Sequence, residues 1–151
     1  MSADLISIKT RQLFREYFVG TTLRFISDEF DAARVDCDSA YQPPVSGARR
    51  SLVEQYYHSV NWTDWRDVKK VLQVFESILH TAEKVIQSTG ADSELSKRLK
   101  AEVENMLYYL HKDDIPEASP GTTRSLKAFV SRSTTSLLIL WTETVCLAEN
   151  L

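Results

Sequence analysis

The side chains of this sequence that could carry acid–base, nucleophilic or metal chemistry are few and scattered. The histidines His58, His80 and His111 each stand alone on a predicted helix, and the cysteines Cys37 and Cys146 lie far apart. A protein metal site needs several nitrogen, sulfur or carboxylate ligands at matching spacing, and no such set is visible. We therefore expect neither a metal nor a cofactor.

The thiol of Cys37 is a poor candidate nucleophile. Acidic residues surround it in the sequence, among them Asp36 and Asp38, and negative charge raises a thiol pKa. The glycine-rich phosphate-binding motifs and the serine-nucleophile motif are also missing. The sequence therefore indicates no familiar class of enzyme.

One pair of residues, Arg50 and His58, still suggests catalysis. They lie eight positions apart on one predicted helix, roughly on the same side. HEPN-class ribonucleases place an arginine about four to six positions before a histidine, so the spacing here is longer. Because histidine suits acid–base work at neutral pH, a small HEPN-like ribonuclease toxin using these two residues is the alternative hypothesis. A purely structural role for both residues is favoured.

An aromatic set, Tyr56, Tyr57, Trp62 and Trp65, has two interpretations. A base-stacking platform for nucleic acid would also need a basic track, and acidic residues dilute the nearby basic ones. A packed aromatic core is the favoured interpretation. Trp62, Trp65 and Trp141 are the candidate residues for an interaction surface.

The elements that must position these residues are predicted to be helices. The 151-residue chain has 43% hydrophobic residues and only four glycines and four prolines, which favours a few long elements. We predict a mainly α fold: a single bundle of about five helices, packed around the fourth. Three of the predicted helices cover about Leu5–Val19, Arg49–Val60 and Ser93–His111. The second helix is predicted to run from a cap at Thr21 or Thr22 to about Ala33, and the fourth from a cap at Thr63 or Asp64 to its end at Gly90.

The fourth predicted helix has the strongest pattern in the chain. Apolar residues recur at steps of three and four along one face for about five turns. The predicted core face consists of Val68, Val71, Leu72, Phe75, Ile78, Leu79, Ala82, Val85 and Ile86. Glycines are expected to end two helices, at Gly20 and Gly90, because glycine adopts the left-handed conformation readily.

The chain is predicted to divide into a helical domain, residues 1–115, and a loop with a C-terminal segment, residues 116–151. The apolar run Leu137–Trp141 fits either a strand or a helix. We expect this tail to be loosely docked or to form a self-association or partner surface, since exposed apolar patches mark interfaces.

Charge and targeting signals limit the partners. The net charge of −3 gives no general attraction to nucleic acid, so nucleic-acid binding is possible but not indicated. No stretch is apolar and long enough to span a membrane, and the first residues lack a signal-peptide pattern. We expect a cytoplasmic location, no membrane contact, and a protein partner or self-association.

Two phrases, FVGTTLRFISDEFDAA and YQPPVSGARRSLVEQYYHSVNWTDWRDVKKVLQVFESIL, occur here in order. They resemble the N-terminal region of bacterial abortive-infection (Abi) family proteins over about residues 5–86. The resemblance implies an accessory or sensing region without established catalytic residues. The chain departs from the family pattern after about Leu110, so the usual C-terminal domain is expected to be missing, as in a truncated family member.

The resemblance and the lack of a catalytic set lead to the same expectation. We expect a non-enzymatic sensing or interaction domain of a bacterial antiphage abortive-infection system.

Overall fold

The computed structural model of the chain describes residues 3–90 and 92–113. Within these ranges the protein consists of five α-helices and contains no strand, which confirms the predicted mainly α fold. The helices are α1 (Ile8–Phe18), α2 (Leu23–Ala32), α3 (Ala48–His58), α4 (Trp65–Thr89) and α5 (Glu94–Lys112).

Side-chain caps fix the start of four of these helices. Ser7, Thr22, Asp64 and Ser93 each accept a hydrogen bond from a backbone N–H of the first turn, which satisfies donors that lack an intrahelical partner. Helix α3 is the exception, because its N-cap is Gly47, which has no side chain to offer.

The two glycine predictions had different outcomes. Gly90 ends α4 with a φ of 82°, as predicted. Gly20 directly follows the C-cap Val19, so α1 ends where predicted, but Gly20 does not take the expected left-handed conformation. The helix ends in a tight turn instead, with the Gly20 N–H donating to the Tyr17 carbonyl at 3.2 Å. The left-handed position comes later, at Arg34 after α2, where φ is 60°.

Helix α4 supplies the largest part of the core. Seven of the nine predicted core residues are buried, and Val74 joins them. Val85 and Ile86, near the end of the helix, are only half-buried. The ring of Phe75 stacks on that of Phe14 from α1, with centroids 3.8 Å apart. This contact joins the long helix to the N-terminal half of the domain.

Helices α1, α2 and α3 meet in an aromatic cluster. Phe30 from α2 stacks on Tyr56 with ring centroids 4.5 Å apart, and it contacts Phe18 and Tyr57 as well. All four side chains are buried. Tyr56 and Tyr57 are therefore core residues, which agrees with the favoured interpretation of the aromatic set.

Helix α5 is covered over only part of its length. Met106, Leu107 and Leu110 are buried, whereas Leu95 is 52% exposed and Leu99 and Val103 are half-buried. The C-terminal half of α5 is held against the start of α1 by Asp113. One oxygen of its carboxylate accepts hydrogen bonds from the Ser7 N–H and from the Thr10 hydroxyl, at 3.1 and 2.6 Å.

The chain divides into two compact units, Met1–Pro116 and Glu117–Leu151. All five helices belong to the first unit. The predictions for the tail, including the apolar run Leu137–Trp141 and the interaction candidate Trp141, lie outside the described residues. In the described part of the chain, no helix is both long enough and apolar enough to cross a membrane.

Candidate functional site

A groove between α1, the α2–α3 loop and α3 brings several chemically capable side chains together. We call it the α1–α3 groove; its volume is about 540 Å³, within the usual range for ligand sites. Its lining combines two arginines, two carboxylates, a histidine and several aromatic and apolar residues. The lining residues are Asp4, Ile8, Arg11, Gln12, Arg15, Tyr41, Pro44, Val45, Glu54, Tyr57, His58 and Trp62.

His58 is held in a fixed orientation at this groove. Its Nδ1 lies 2.8 Å from Oδ2 of Asp38, and its ring stacks on Tyr41 with centroids 3.8 Å apart and planes 9° from parallel. The side chain is nevertheless 50% exposed. Because the carboxylate occupies Nδ1, the Nε2 atom is the ring nitrogen that remains for a ligand.

The loop that supplies Asp38 and Tyr41 is fastened to α3 by hydrogen bonds. The side-chain amide of Gln55 donates to the Tyr41 carbonyl at 3.1 Å, and the Asp38 N–H donates to the Gln55 carbonyl at 3.1 Å. One turn further along, the Ser59 hydroxyl donates to the Asp36 carbonyl at 2.5 Å. These bonds set the loop beside His58.

Arg11 forms the opposite part of the groove lining. Its guanidinium carbon lies 4.2 Å from the centroid of the Trp62 ring, and its Nη2 donates to Oδ2 of Asp4 at 2.6 Å. Two backbone contacts hold this arrangement in place. The buried Tyr57 hydroxyl donates to the Arg11 carbonyl at 3.0 Å, and the Leu5 N–H donates to the Trp62 carbonyl at 2.9 Å.

Among the described residues, Arg15 forms two ion pairs, whereas Arg11 forms one. Arg15 pairs with Glu54 at 2.5 Å and with Glu16 at 3.2 Å. The Glu16 carboxylate also accepts hydrogen bonds from Nε and Nη2 of Arg50, at 2.9 and 2.8 Å. Hydrogen bonding from Arg50 is the main cause that lowers the pKa of Glu16; burial opposes it, and Arg15 lowers the pKa further.

The structure separates the two residues of the ribonuclease alternative. Arg50 lines a smaller pocket of about 230 Å³, with Val19, Leu23 and the first residues of α3. His58 lines the α1–α3 groove instead. Eight helical positions correspond to roughly 12 Å along the axis, so the two side chains serve different cavities. The arginines that share a cavity with His58 are Arg11 and Arg15.

The candidate interaction tryptophans also differ in position. Trp62 lines the groove and contacts both Arg11 and the ring of Tyr57, whose centroid is 5.3 Å away. Trp65 is half-buried at the start of α4, and its indole Nε1–H is buried without an acceptor among the described residues. Of the two, only Trp62 belongs to the groove.

The environment of Cys37 disfavours a thiolate, as the sequence indicated. The residue is exposed overall, but partial burial of the thiol is the main cause that raises its pKa, and the charges of Asp31 and Asp38 raise it further. The predicted direction is therefore confirmed. Its main cause is desolvation rather than the acidic neighbours.

Sequence reasoning missed Arg11, Asp38 and Tyr41 as partners of the site. Arg11 is one of several charged residues on the outer face of α1, and Asp38 and Tyr41 sit in a loop without periodicity. One signal was available: Asp38 and Tyr41 flank a turn just before Pro43-Pro44, which makes a rigid loop.

The groove offers groups that could bind a ligand. It contains an oriented histidine and an arginine lying on an indole ring, and no serine, threonine or cysteine of the described residues lines it. Over the described residues, no group of three or more His, Cys, Asp or Glu side chains could hold a metal ion. A ligand with an anionic group and a flat or apolar part would match these residues.

Comparison with known proteins gave no match to a family model, to a curated protein or to a solved structure.

Proposed function

We propose that this protein is a non-enzymatic sensing or interaction domain of a bacterial antiphage abortive-infection system. The biological setting rests on the resemblance of residues 5–86 to the N-terminal region of abortive-infection proteins. The ligand or partner would bind in the α1–α3 groove.

One observation carries the binding role: His58 and Arg11 both line the groove, and each lies against an aromatic ring, His58 on Tyr41 and Arg11 on Trp62. Side chains fixed in this way lose little conformational entropy when they bind, which favours recognition. Among the described residues the lining has no serine, threonine or cysteine, which are the usual nucleophiles of covalent catalysis. A recognition surface therefore fits the groove better than a covalent catalyst does.

Affinity capture from phage-infected bacteria tests this role. The tagged protein and a groove variant, Val45→Glu, are used as bait in infected and uninfected cells, and bound proteins and nucleotides are both identified. We expect an infection-dependent partner that the groove variant loses. Leu95→Glu is the matched control, because Leu95 is apolar and exposed but lies on α5.

Two results of this experiment would contradict the proposal. Repeated failure to recover any specific protein, nucleotide or phage component would count against a sensing or interaction role. Equal loss of the partner with Leu95→Glu would count against the groove.

A second candidate, a small HEPN-like ribonuclease toxin, is favoured by one feature. Asp38 holds the imidazole of His58 in a single orientation, which is a common arrangement for a general base. Against it, Arg50 is tied to Glu16 and lines a different pocket. This candidate therefore needs Arg11 or Arg15, rather than Arg50, as the cation beside His58.

Incubation of the purified protein with total RNA and tRNA distinguishes the candidates. The ribonuclease hypothesis expects cleavage that His58→Ala abolishes and that His80→Ala, at an exposed position on α4, leaves intact. The binding hypothesis expects the wild type and both variants to behave alike, with no cleavage above background.

A further inference from the structure

The guanidinium of Arg11 is held against an aromatic ring and donates to a single carboxylate among the described residues. Its side chain is 13% exposed, lies on the Trp62 ring and donates to Asp4. A guanidinium has five N–H donors in a flat fork that matches the oxygens of a phosphate or carboxylate. Arg11 is therefore a preformed receptor for an oxyanion.

Asp4 shows which kind of group this receptor takes. Its carboxylate sits 2.6 Å from Nη2 of Arg11, yet the Asp4 side chain is 43% exposed and belongs to the irregular segment before α1. Because Asp4 is the exposed partner of this pair and lies outside the helices, an external anion can reach Arg11 and compete with the Asp4 carboxylate. The internal carboxylate thus occupies the position of a ligand's anionic group.

The other part of the groove offers a flat surface. His58 and Tyr41 form a parallel stack, and Tyr41 covers one face of a histidine ring that is 50% exposed. Histidine and tyrosine rings are frequent stacking partners for nucleobases. Val45 and Ile8, the latter 64% exposed, add apolar surface to the lining of the same groove.

We propose that the α1–α3 groove binds a nucleotide, with the phosphate on Arg11 in place of Asp4 and the base on the His58–Tyr41 stack. The groove volume of about 540 Å³ suits a ligand of this size. The carboxylate of Glu54 does not oppose the phosphate strongly, because Arg15 already neutralises it at 2.5 Å. This inference rests on the proposed sensing role, since it names the class of ligand that is sensed.

Titration of the full-length, ¹⁵N-labelled protein with AMP tests the inference. We expect saturable shifts of the Trp62 indole signal and of amides in residues 8–15 and 41–58. Adenosine and inorganic phosphate are the comparison probes. Each supplies only half of the interactions and is expected to bind at least about tenfold more weakly, a difference of roughly 1.4 kcal/mol.

Two variants at the anion position give opposite expected results. Arg11→Gln removes the guanidinium and its paired N–H donors. Because a charge-assisted hydrogen bond to the phosphate is lost, AMP binding should weaken by at least about tenfold. Asp4→Asn removes the competing carboxylate and should tighten binding, a gain that a misfolded variant would not produce. Arg24→Gln is the matched control, because Arg24 is 91% exposed and lies on α2, outside the groove.

Three outcomes would overturn the inference: no saturable shift with AMP, inorganic phosphate binding as tightly as AMP, or an affinity that is unchanged in both Arg11→Gln and Asp4→Asn. None of these would by itself refute the sensing or interaction role, because capture of an infection-dependent partner by the groove is measured separately. Failure to capture any infection-dependent partner, with AMP binding intact, would instead leave the nucleotide site and refute the proposed function.

Discussion

At the scale of single residues, polar groups of this domain are held in place by contacts with buried or stacked side chains. Tyr57 shows the principle. Its ring is in the core, and its hydroxyl donates to the Arg11 carbonyl, so one side chain joins the aromatic cluster to the groove. Changes at such residues should therefore alter stability and the groove together.

Replacing Tyr57 with phenylalanine gives a prediction that depends on pH. At neutral pH the variant should lose roughly 0.5–1.5 kcal/mol of unfolding free energy, the usual value of one hydrogen bond. Burial raises the pKa of Tyr57 above its ordinary value of 10.0. The wild type should therefore lose stability above that pH, where the unfolded chain ionises and the folded chain does not. Urea denaturation at pH 7 and at pH 10.5 or so measures both effects.

The expected sign distinguishes this effect from general alkaline unfolding. The stability difference between wild type and Tyr57→Phe should shrink as the pH rises past 10.0, the ordinary pKa of the group. A difference that stays constant or grows would show that Tyr57 does not carry a raised pKa in the folded protein.

Glu16 gives the corresponding prediction on the acid side. Arg50 and Arg15 lower its pKa from the ordinary value of 4.5. The ion pairs therefore stabilise the fold at neutral pH, and this contribution is lost as the pH falls below that value. The effect should be small and sensitive to salt, because the carboxylate is 44% exposed.

Glu16→Gln should accordingly show a shallower loss of stability between pH 6 and pH 3 than the wild type, as followed by urea denaturation. Glu104→Gln is the control, because Glu104 is an exposed glutamate on α5. Identical acid dependence in the wild type and Glu16→Gln would contradict the assigned pKa direction.

At the scale of elements, the sequence predicts the helices well and the groove poorly. Each helix carries local signals: an apolar stripe, a cap residue such as Asp64 or Ser93, and a glycine or loop at its end. These signals are contained within one element, so periodicity reveals them. The groove instead depends on contacts between α1, α3 and a loop, such as the pairing of His58 with Asp38.

Gly20 and the start of α5 illustrate the same limit. Gly20 has the residue type of a left-handed helix end, but Thr22 begins the next helix so soon that a tight turn suffices. Leu95 and Leu99 follow the apolar pattern of α5, yet Leu95 is exposed and Leu99 is half-buried. Burial is decided by which helices pack against that end, and the pattern of one helix does not contain this information.

The central role of α4 is testable with Phe75→Ala. Phe75 is fully buried and stacks on Phe14, so truncation should cost about 3–5 kcal/mol, the usual range for a buried phenylalanine. Thermal melting followed by circular dichroism measures the loss. Gln73→Ala, at an exposed position of the same helix, should stay within about 0.5 kcal/mol. An unchanged melting temperature in Phe75→Ala would refute the core assignment.

At the scale of the whole molecule, the five helices and their core lie in the unit Met1–Pro116. The domain should therefore keep its fold when residues 132–151 are deleted. Circular dichroism and size-exclusion chromatography of the shortened and full-length chains measure this. If the tail is a self-association or partner surface, the deletion should also reduce any oligomer. Unfolding of the shortened chain, together with a clean monomer for the full-length one, would contradict this prediction.

The central claim is that the α1–α3 groove is a recognition site used during phage infection. The three tryptophans of the chain provide a direct readout, because each gives one indole signal in ¹⁵N spectra and Trp62 alone among the described ones lines the groove. The labelled protein is placed in unlabelled extracts of infected and uninfected bacteria, and the signals are assigned by Trp→Phe variants. We expect the Trp62 signal to shift or broaden in the infected extract only, while the Trp65 signal stays in place. An unchanged Trp62 signal in the infected extract, or an equal change in both extracts, would contradict the central claim.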